Sequence, residues 1–130
     1  MSHPTGLEEL DRLQGDWTVV SVEGHGKKLP DEYVKGWKLT INGDQWTFMY
    51  RTEYKVTVKI DPTKKPKTID LTLKTANKET LSPGIYKLEG DTLTLCRTSR
   101  HSQRPKEFKT TEETAGRRIE VWKRAKKYSL

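Results

Sequence analysis

The stretch Leu13-Gln14-Gly15-Asp16-Trp17-Thr18-Val19-Val20-Ser21-Val22-Glu23 decides how this chain is read. A short amphipathic segment stops at Gly15, a residue that readily ends a helix. A strand then begins at once with Trp17 and runs over residues 16–23. Its period of two places Trp17, Val19 and Ser21 on one face and Thr18, Val20 and Val22 on the other. Upstream, Thr5-Gly6-Leu7-Glu8 has the form of a capping box, in which a hydroxyl and a carboxylate satisfy the first free amides of a helix. Leu7, Leu10 and Leu13 follow at three-residue spacing. Residues 1–14 therefore read as a helical plug, too short to be a domain.

Outward from this point the chain is a series of alternating stretches. Residues 24–28 read as a loop. Pro30 to Gly36 reads as one helical turn, with Pro near its start and Gly at its end. Trp37, Leu39 and Ile41 alternate with polar residues, and Asn42-Gly43-Asp44 is a hairpin turn. Trp46, Phe48 and Tyr50 alternate next, then Tyr54, Val56, Val58 and Ile60 after a turn at 51–53. Asp61 to Pro66 is a proline-punctuated link. Ile69, Leu71 and Leu73 form the next alternation. Residues 75–83 read as a loop, 85–88 as a strand, 89–91 as a turn, and 92–96 as another strand. A long polar stretch over 97–116 precedes the alternation of Arg118, Glu120, Trp122 and Arg124 with Ile119, Val121 and Lys123. A short strand over 107–111 is conceivable there, but a full-length ninth strand would reverse the last one and spoil closure. Residues 126–130 read as a frayed tail.

Eight strands joined mostly by short turns give antiparallel neighbours. Closing them removes the exposed edges of a flat sheet. The expected fold is all-β: an eight-stranded antiparallel up-and-down barrel with a short N-terminal helix, a single domain over 1–130.

Composition agrees with this reading. The 130 residues suit one core, and 32% hydrophobic against 33% charged residues suits strands buried on one face only. Four Trp, five Tyr and the regular alternation argue against disorder. The net charge of +7, from 25 Lys and Arg against 18 Asp and Glu, fits a solvated basic outer face and attraction to anions. It does not imply sequence-specific nucleic-acid binding. The lone Cys96 excludes an internal disulfide and suits a reducing compartment. With no signal-peptide pattern and no apolar run of membrane-span length, the expected location is cytoplasmic.

Gly15-x-Trp17 behind a short helix, with a basic residue, Arg124, closing the last strand, resembles the lipocalin signature. More specifically, the chain resembles an uncharacterised lipocalin-like domain family expanded in planctomycete bacteria. The matching stretches are Leu13 to Trp17, Asp61 to Leu71, Gly84 to Cys96 and Arg104 to Phe108. The resemblance implies a barrel with Trp17 across its closed end and Arg124 packed over the indole, which makes Gly15, Trp17 and Arg124 structural. It implies no reaction, because that family has no assigned activity.

Candidate chemistry is sparse. His3, His25 and His101 have no metal-ligand partner at close spacing, and no cofactor motif is present. Cys96 lies in an alternating strand as a small packed residue, with no base to activate it. Asp31 with Glu32, and Glu112 with Glu113, look like loop solvation. The basic run Lys64-Lys65-Pro66-Lys67 reads as a soluble turn. No catalytic signature or catalytic residue is identified. The informative set is aromatic: Trp37, Trp46, Phe48, Tyr50 and Tyr54 share a face that would point inward. An eight-stranded barrel is just wide enough to be filled by side chains or to hold one small ligand. Alternating connections place residues 51–53, 75–83 and 97–116 at the end opposite Trp17. That rim would carry His25, Tyr33, Arg97, Arg100, His101, Arg104 and Phe108. The candidate ligand-binding residues are thus the five rings with Arg97, Arg104 and Phe108, and the expected ligand is a small, partly apolar or amphiphilic molecule with an anionic head. The alternative is a protein-interaction module that uses the long loops.

Overall fold

The computed structural model describes residues 6–99, 103–114 and 116–125. Its elements are α1 (Gly6–Leu13), β1 (Gly15–Gly24), β2 (Lys27–Lys28), α2 (Asp31–Val34), β3 (Lys38–Asn42), β4 (Gln45–Met49), β5 (Glu53–Asp61), β6 (Lys67–Thr75), β7 (Lys78–Glu89), β8 (Thr92–Arg97) and β9 (Arg118–Arg124). Every strand pairs antiparallel with its neighbour, and β1 pairs with both β3 and β9. The sheet therefore closes. β2 is a two-residue appendage on β1, so eight strands make the wall, and the expected up-and-down barrel is the fold observed.

The interior is largely aromatic. Trp17, Trp46, Trp122, Tyr86 and Phe48 are all under 2% exposed. Rings of this size bury roughly 150–250 Å² each, which explains how a chain with modest apolar content fills a barrel. Leu39, Ile41, Val56, Val58, Ile69, Leu71, Leu93 and Leu95 complete the inner face at alternate positions.

α1 stoppers one end. The Trp17 indole donates to the Leu13 carbonyl at 2.9 Å. Gln14 exchanges hydrogen bonds with the backbone of Gly43 in the β3–β4 turn. Gly15 has a φ of +119°, so a glycine makes the sharp entry from helix to strand without strain. Thr5, half of the expected capping box, lies outside the described residues, as do His3, Arg100, His101 and the tail 126–130.

Four local readings are corrected. First, the β1–β9 register shifts between Val19 and Ser21. Val20 faces out at 50% exposure, as alternation from the inward Trp17 expects, but past the bulge Val22 turns inward to 0%, the reverse of a strict alternation. Second, the 24–28 loop is a hairpin. His25 (φ 53°) and Gly26 (φ 76°) make a two-residue turn with both φ positive, matching strand twist. Third, residues 78–83 are not loop: β7 starts at Lys78, and Thr75 pairs with Lys78. The tip of this hairpin is exposed on both faces, so no hydrophobic alternation marks it. Fourth, Glu107 to Thr111 is not a strand.

The long segment after β8 is an outer strap. Arg104 bonds Asp70 at 2.5 Å, and Asp70 alternates with the inward Ile69 and Leu71 and so points out. The Cys96 thiol donates to the Glu107 carbonyl at 3.7 Å, and Lys87 lies 5.1 Å from the Phe108 ring. Thr110 then donates to Glu23 at 2.6 Å and accepts from the Gly26 amide at 2.9 Å. Ile85 and Cys96, both outward-facing, are buried beneath this strap.

Candidate functional site: an arginine-walled cavity at the open end

At the end opposite α1, strand pairing sets Arg97 of β8 directly across from Arg118 of β9. Both are in phase with inward residues: Arg97 with Leu93 and Leu95, Arg118 with Glu120 and Trp122. Gly84 of β7 pairs with Arg97, and a Cβ there would sit 2.8 Å from the Cys96 carbonyl oxygen. A glycine at this point lets β7 close on β8.

Glu120 is completely buried between the two arginines. Its Oε2 makes an ion pair with Arg118 Nη2 at 2.6 Å and accepts from Arg97 Nη2 at 3.5 Å, and its Oε1 accepts from the Trp122 indole at 3.3 Å. The Tyr50 hydroxyl donates to Glu120 Oε2 at 3.1 Å and accepts from Arg97 at 2.6 Å and Arg118 at 3.1 Å. One donor and two lone pairs are all a phenol offers, so Tyr50 is saturated. Burial alone would raise the Glu120 carboxyl. The Arg97 and Arg118 charges, helped by the Tyr50 and Trp122 hydrogen bonds, outweigh it and hold the group below the usual glutamate range. Tyr50 moves the other way: burial, then the neighbouring Glu120 charge, raises its pKa, so it stays a neutral phenol.

Aromatic rings frame this cluster. Arg97 lies 5.0 Å from the Phe48 ring, and Arg118 lies 5.2 Å from Tyr50 and 5.6 Å from Trp37. Trp37 meets Tyr50 edge-on at 4.5 Å, and Phe48 stacks on Tyr50 at 5.6 Å. In front of the arginines is a cavity of about 430 Å³. Val56, Leu71, Leu73 and Tyr54 form its apolar side, on β5 and β6; Arg97, Ser99 and Arg118 lie on the other side. A smaller polar recess of about 320 Å³, between Ser82, Thr98, Ser99 and Gly116, shares the same two arginines. Among the described residues, each guanidinium makes its hydrogen bonds through Nη2 alone, which leaves Nη1 and Nε without protein acceptors.

The candidate residues from the sequence divide into groups. Phe48, Tyr50, Tyr54 and Arg97 line the cavity. Trp37 contacts the cluster from beside it, and Trp46 is sealed in the core next to Phe48. Arg104 and Phe108 are on the outer strap and do not reach the cavity. Arg104 is consumed by Asp70 and by the Ile69 and Gly84 carbonyls at 2.9 Å each. At the other end, Arg124 lies 4.3 Å over the Trp17 ring and donates to the carbonyls of Gln14 and Arg12, each at 2.6 Å.

Arg118 and Glu120 were missed. A usable signal was present: period two from Arg124, placed over Trp17, runs through Trp122 and Glu120 to Arg118 on the same face. Among the described residues no three His, Cys, Asp or Glu side chains gather to hold a metal ion, and no helix is long and apolar enough to cross a membrane. Comparison with protein-family models, curated proteins and solved structures found no match.

Proposed function

We propose that this protein is a lipocalin-like binder of a small, partly apolar or amphiphilic molecule, held in the open-end cavity with its anionic head against Arg97 and Arg118. The observation that carries this reading is the pair of inward arginines with unused donors beside an apolar wall. Cavities of about 300–1,000 Å³ with few polar groups are the usual shape of small-ligand sites. Partly buried guanidinium donors recognise carboxylates and related anions through charge-assisted hydrogen bonds. Specific nucleic-acid binding is no part of the proposal, because the inward rings leave few stacking platforms for bases. A cytoplasmic setting belongs to the same proposal and rests on the lone, buried thiol of Cys96.

Titration with decanoate tests it. Trp fluorescence should change, because Trp37 and Tyr50 are in contact, and backbone amides of Leu73, Thr80 and Ser82 should shift in NMR spectra. If neither responds to decanoate, the loops become the more natural recognition surface, and the protein-interaction reading replaces this one.

A further inference from the structure

We propose that the open-end site selects a compact monoanion, and that Glu120 sets this preference by cancelling one of the two arginine charges. The inference rests on the ligand-binding reading above and specifies its ligand class.

The argument begins with charge in a confined space. Of the described residues lining the cavity, Arg97 and Arg118 carry the formal charges, and Glu120 lies directly behind them, fully buried. Two guanidiniums and one carboxylate leave a cluster of net charge +1. The cluster is only partly solvated, with Glu120 fully buried and the Arg97 and Arg118 side chains 18% and 32% exposed, and a net charge there is stabilised when a counter-charge completes it. One negative charge from a ligand does so. A neutral head leaves the cluster unbalanced, and a dianion overshoots it while losing more hydration on entry.

The hydrogen-bond inventory points the same way. Tyr50 is saturated by Glu120 and the arginines, and Ser82 Oγ donates to the Thr98 carbonyl at 2.5 Å. The unused charged donors at the head position are thus guanidinium N–H groups, with the Ser99 hydroxyl beside them, and guanidiniums match the oxygens of a carboxylate in pairs.

Shape supplies the word compact. The apolar and cationic sides of the cavity face each other across the barrel, on β5–β6 and β8–β9. Below them Trp46 and Trp122 are completely buried and fill the lumen. A ligand therefore spans the barrel's width, and a long chain has no channel to run down. Medium-chain and single-ring carboxylates meet these limits.

The test compares three probes with one tail: octanoate, octyl phosphate and octanol, titrated at pH 8 while Trp fluorescence is followed. At that pH a phosphate monoester is close to doubly charged. Octanoate should bind about tenfold or more tighter than either of the others, the scale of one charge-assisted hydrogen bond. Glu120→Gln raises the cluster to +2 and should move octyl phosphate ahead of octanoate. Arg97→Met, which leaves Glu120 paired with Arg118, keeps the question open if Glu120→Gln does not fold. It makes the cluster neutral and should bring octanoate and octanol to similar affinity. Wild-type protein that binds octyl phosphate or octanol as tightly as octanoate overturns the monoanion proposal and leaves the ligand-binding reading standing. No response to any of the three probes overturns both.

Discussion

At the closed end, Arg124 lies over Trp17, donates to two α1-end carbonyls and bonds Asp91 Oδ1 through Nε at 3.1 Å. At the open end, Arg97 and Arg118 also lie over aromatic rings, but among the described residues each hydrogen-bonds through one nitrogen. The two ends share a second motif. Each has a fully buried glutamate bonded to a tyrosine hydroxyl: Glu9 with Tyr86 at 3.3 Å, and Glu120 with Tyr50 at 3.1 Å. Glu9 is matched by Lys67 at 2.7 Å, with Arg12 at 4.0 Å from its other oxygen, and these hold the α1 plug to β6. Glu120 faces two strong cationic partners beside an open cavity. The contrast lies in the arginines: Arg124 spends its donors on the plug, although Glu9 Oε2 at the same end has no hydrogen-bond partner among the described residues, while Arg97 and Arg118 keep donors free beside the cavity. Spent donors mark structure; unspent donors beside a cavity mark a site.

The largest expected effect lies in the joint. Trp17→Ala removes a completely buried ring together with its bond to Leu13 and its contact with Arg124. Denaturant unfolding should show a loss of about 3–5 kcal/mol, the range for large aromatic truncations in cores. A loss under about 1 kcal/mol would mean that the plug contributes little to the barrel, since surface changes alone reach about half that.

A paired substitution sharpens the contrast. Lys67→Met leaves Glu9 buried without its close cationic partner and should cost about 3 kcal/mol, at the low end for a broken buried ion pair. Arg97→Met removes two hydrogen bonds but leaves Glu120 with Arg118, Tyr50 and Trp122, and should cost about 2 kcal/mol, or about 1 per net hydrogen bond. Equal losses in unfolding measurements would show that the open-end cluster is as structural as the plug.

Acid titration probes the open end through the difference between wild type and Glu120→Gln, because Asp61 is also held below the usual carboxylate range by its hydrogen bonds with Thr63. Glu120 has its pKa lowered in the folded protein, so its charged form favours folding. That contribution is complete above the ordinary glutamate value, about 4.3, and fades as pH falls below it toward the lower folded value. Stability measured from pH 6 down to pH 3 should fall with acid, and less steeply in Glu120→Gln. Identical slopes in the two proteins would remove Glu120 from the acid response.

Much of this architecture was legible because one-sided burial writes itself as period two. Trp37 to Ile41, Trp46 to Tyr50 and Tyr54 to Ile60 alternate cleanly, and the first of the turns between them is Asn42-Gly43-Asp44. Legibility failed where burial and polarity part. The outward face of β8 holds Cys96 because residues 103–114 cover it, and no local pattern announces a strap. The β7 tip is exposed on both faces and has no alternation to read. The bulge at Val20 inverts a face without any glycine to signal it. Arg118 and Glu120 were hidden because charged residues on a strand ordinarily point to water. Here each is inward because the others are, a property of the folded cluster and not of any one residue. Arg104 and Phe108 misled for the opposite reason: a long loop at the rim of the sequence map bends back along the outer wall.

The smallest expected effect on stability belongs to Tyr54, and it separates the two ends most directly. It sits across from Phe48 in the strand register and lines the cavity, yet it is 44% exposed, and its ring makes a tilted contact with Tyr50 at 5.8 Å. A barrel shaped for stability alone has no need of a large half-wet ring at that position. Tyr54→Ala should change the unfolding free energy by about 0.5 kcal/mol or less, as substitutions away from the core do. It should nevertheless weaken octanoate binding, because it strips apolar surface from the side of the cavity that faces the arginines. Stability from denaturant titration and affinity from Trp fluorescence can be read on the same sample. A large stability loss would make Tyr54 a packing residue and the mouth part of the core. Unchanged affinity would take Tyr54 out of the site and leave Leu71, Leu73 and Val56 as its apolar wall.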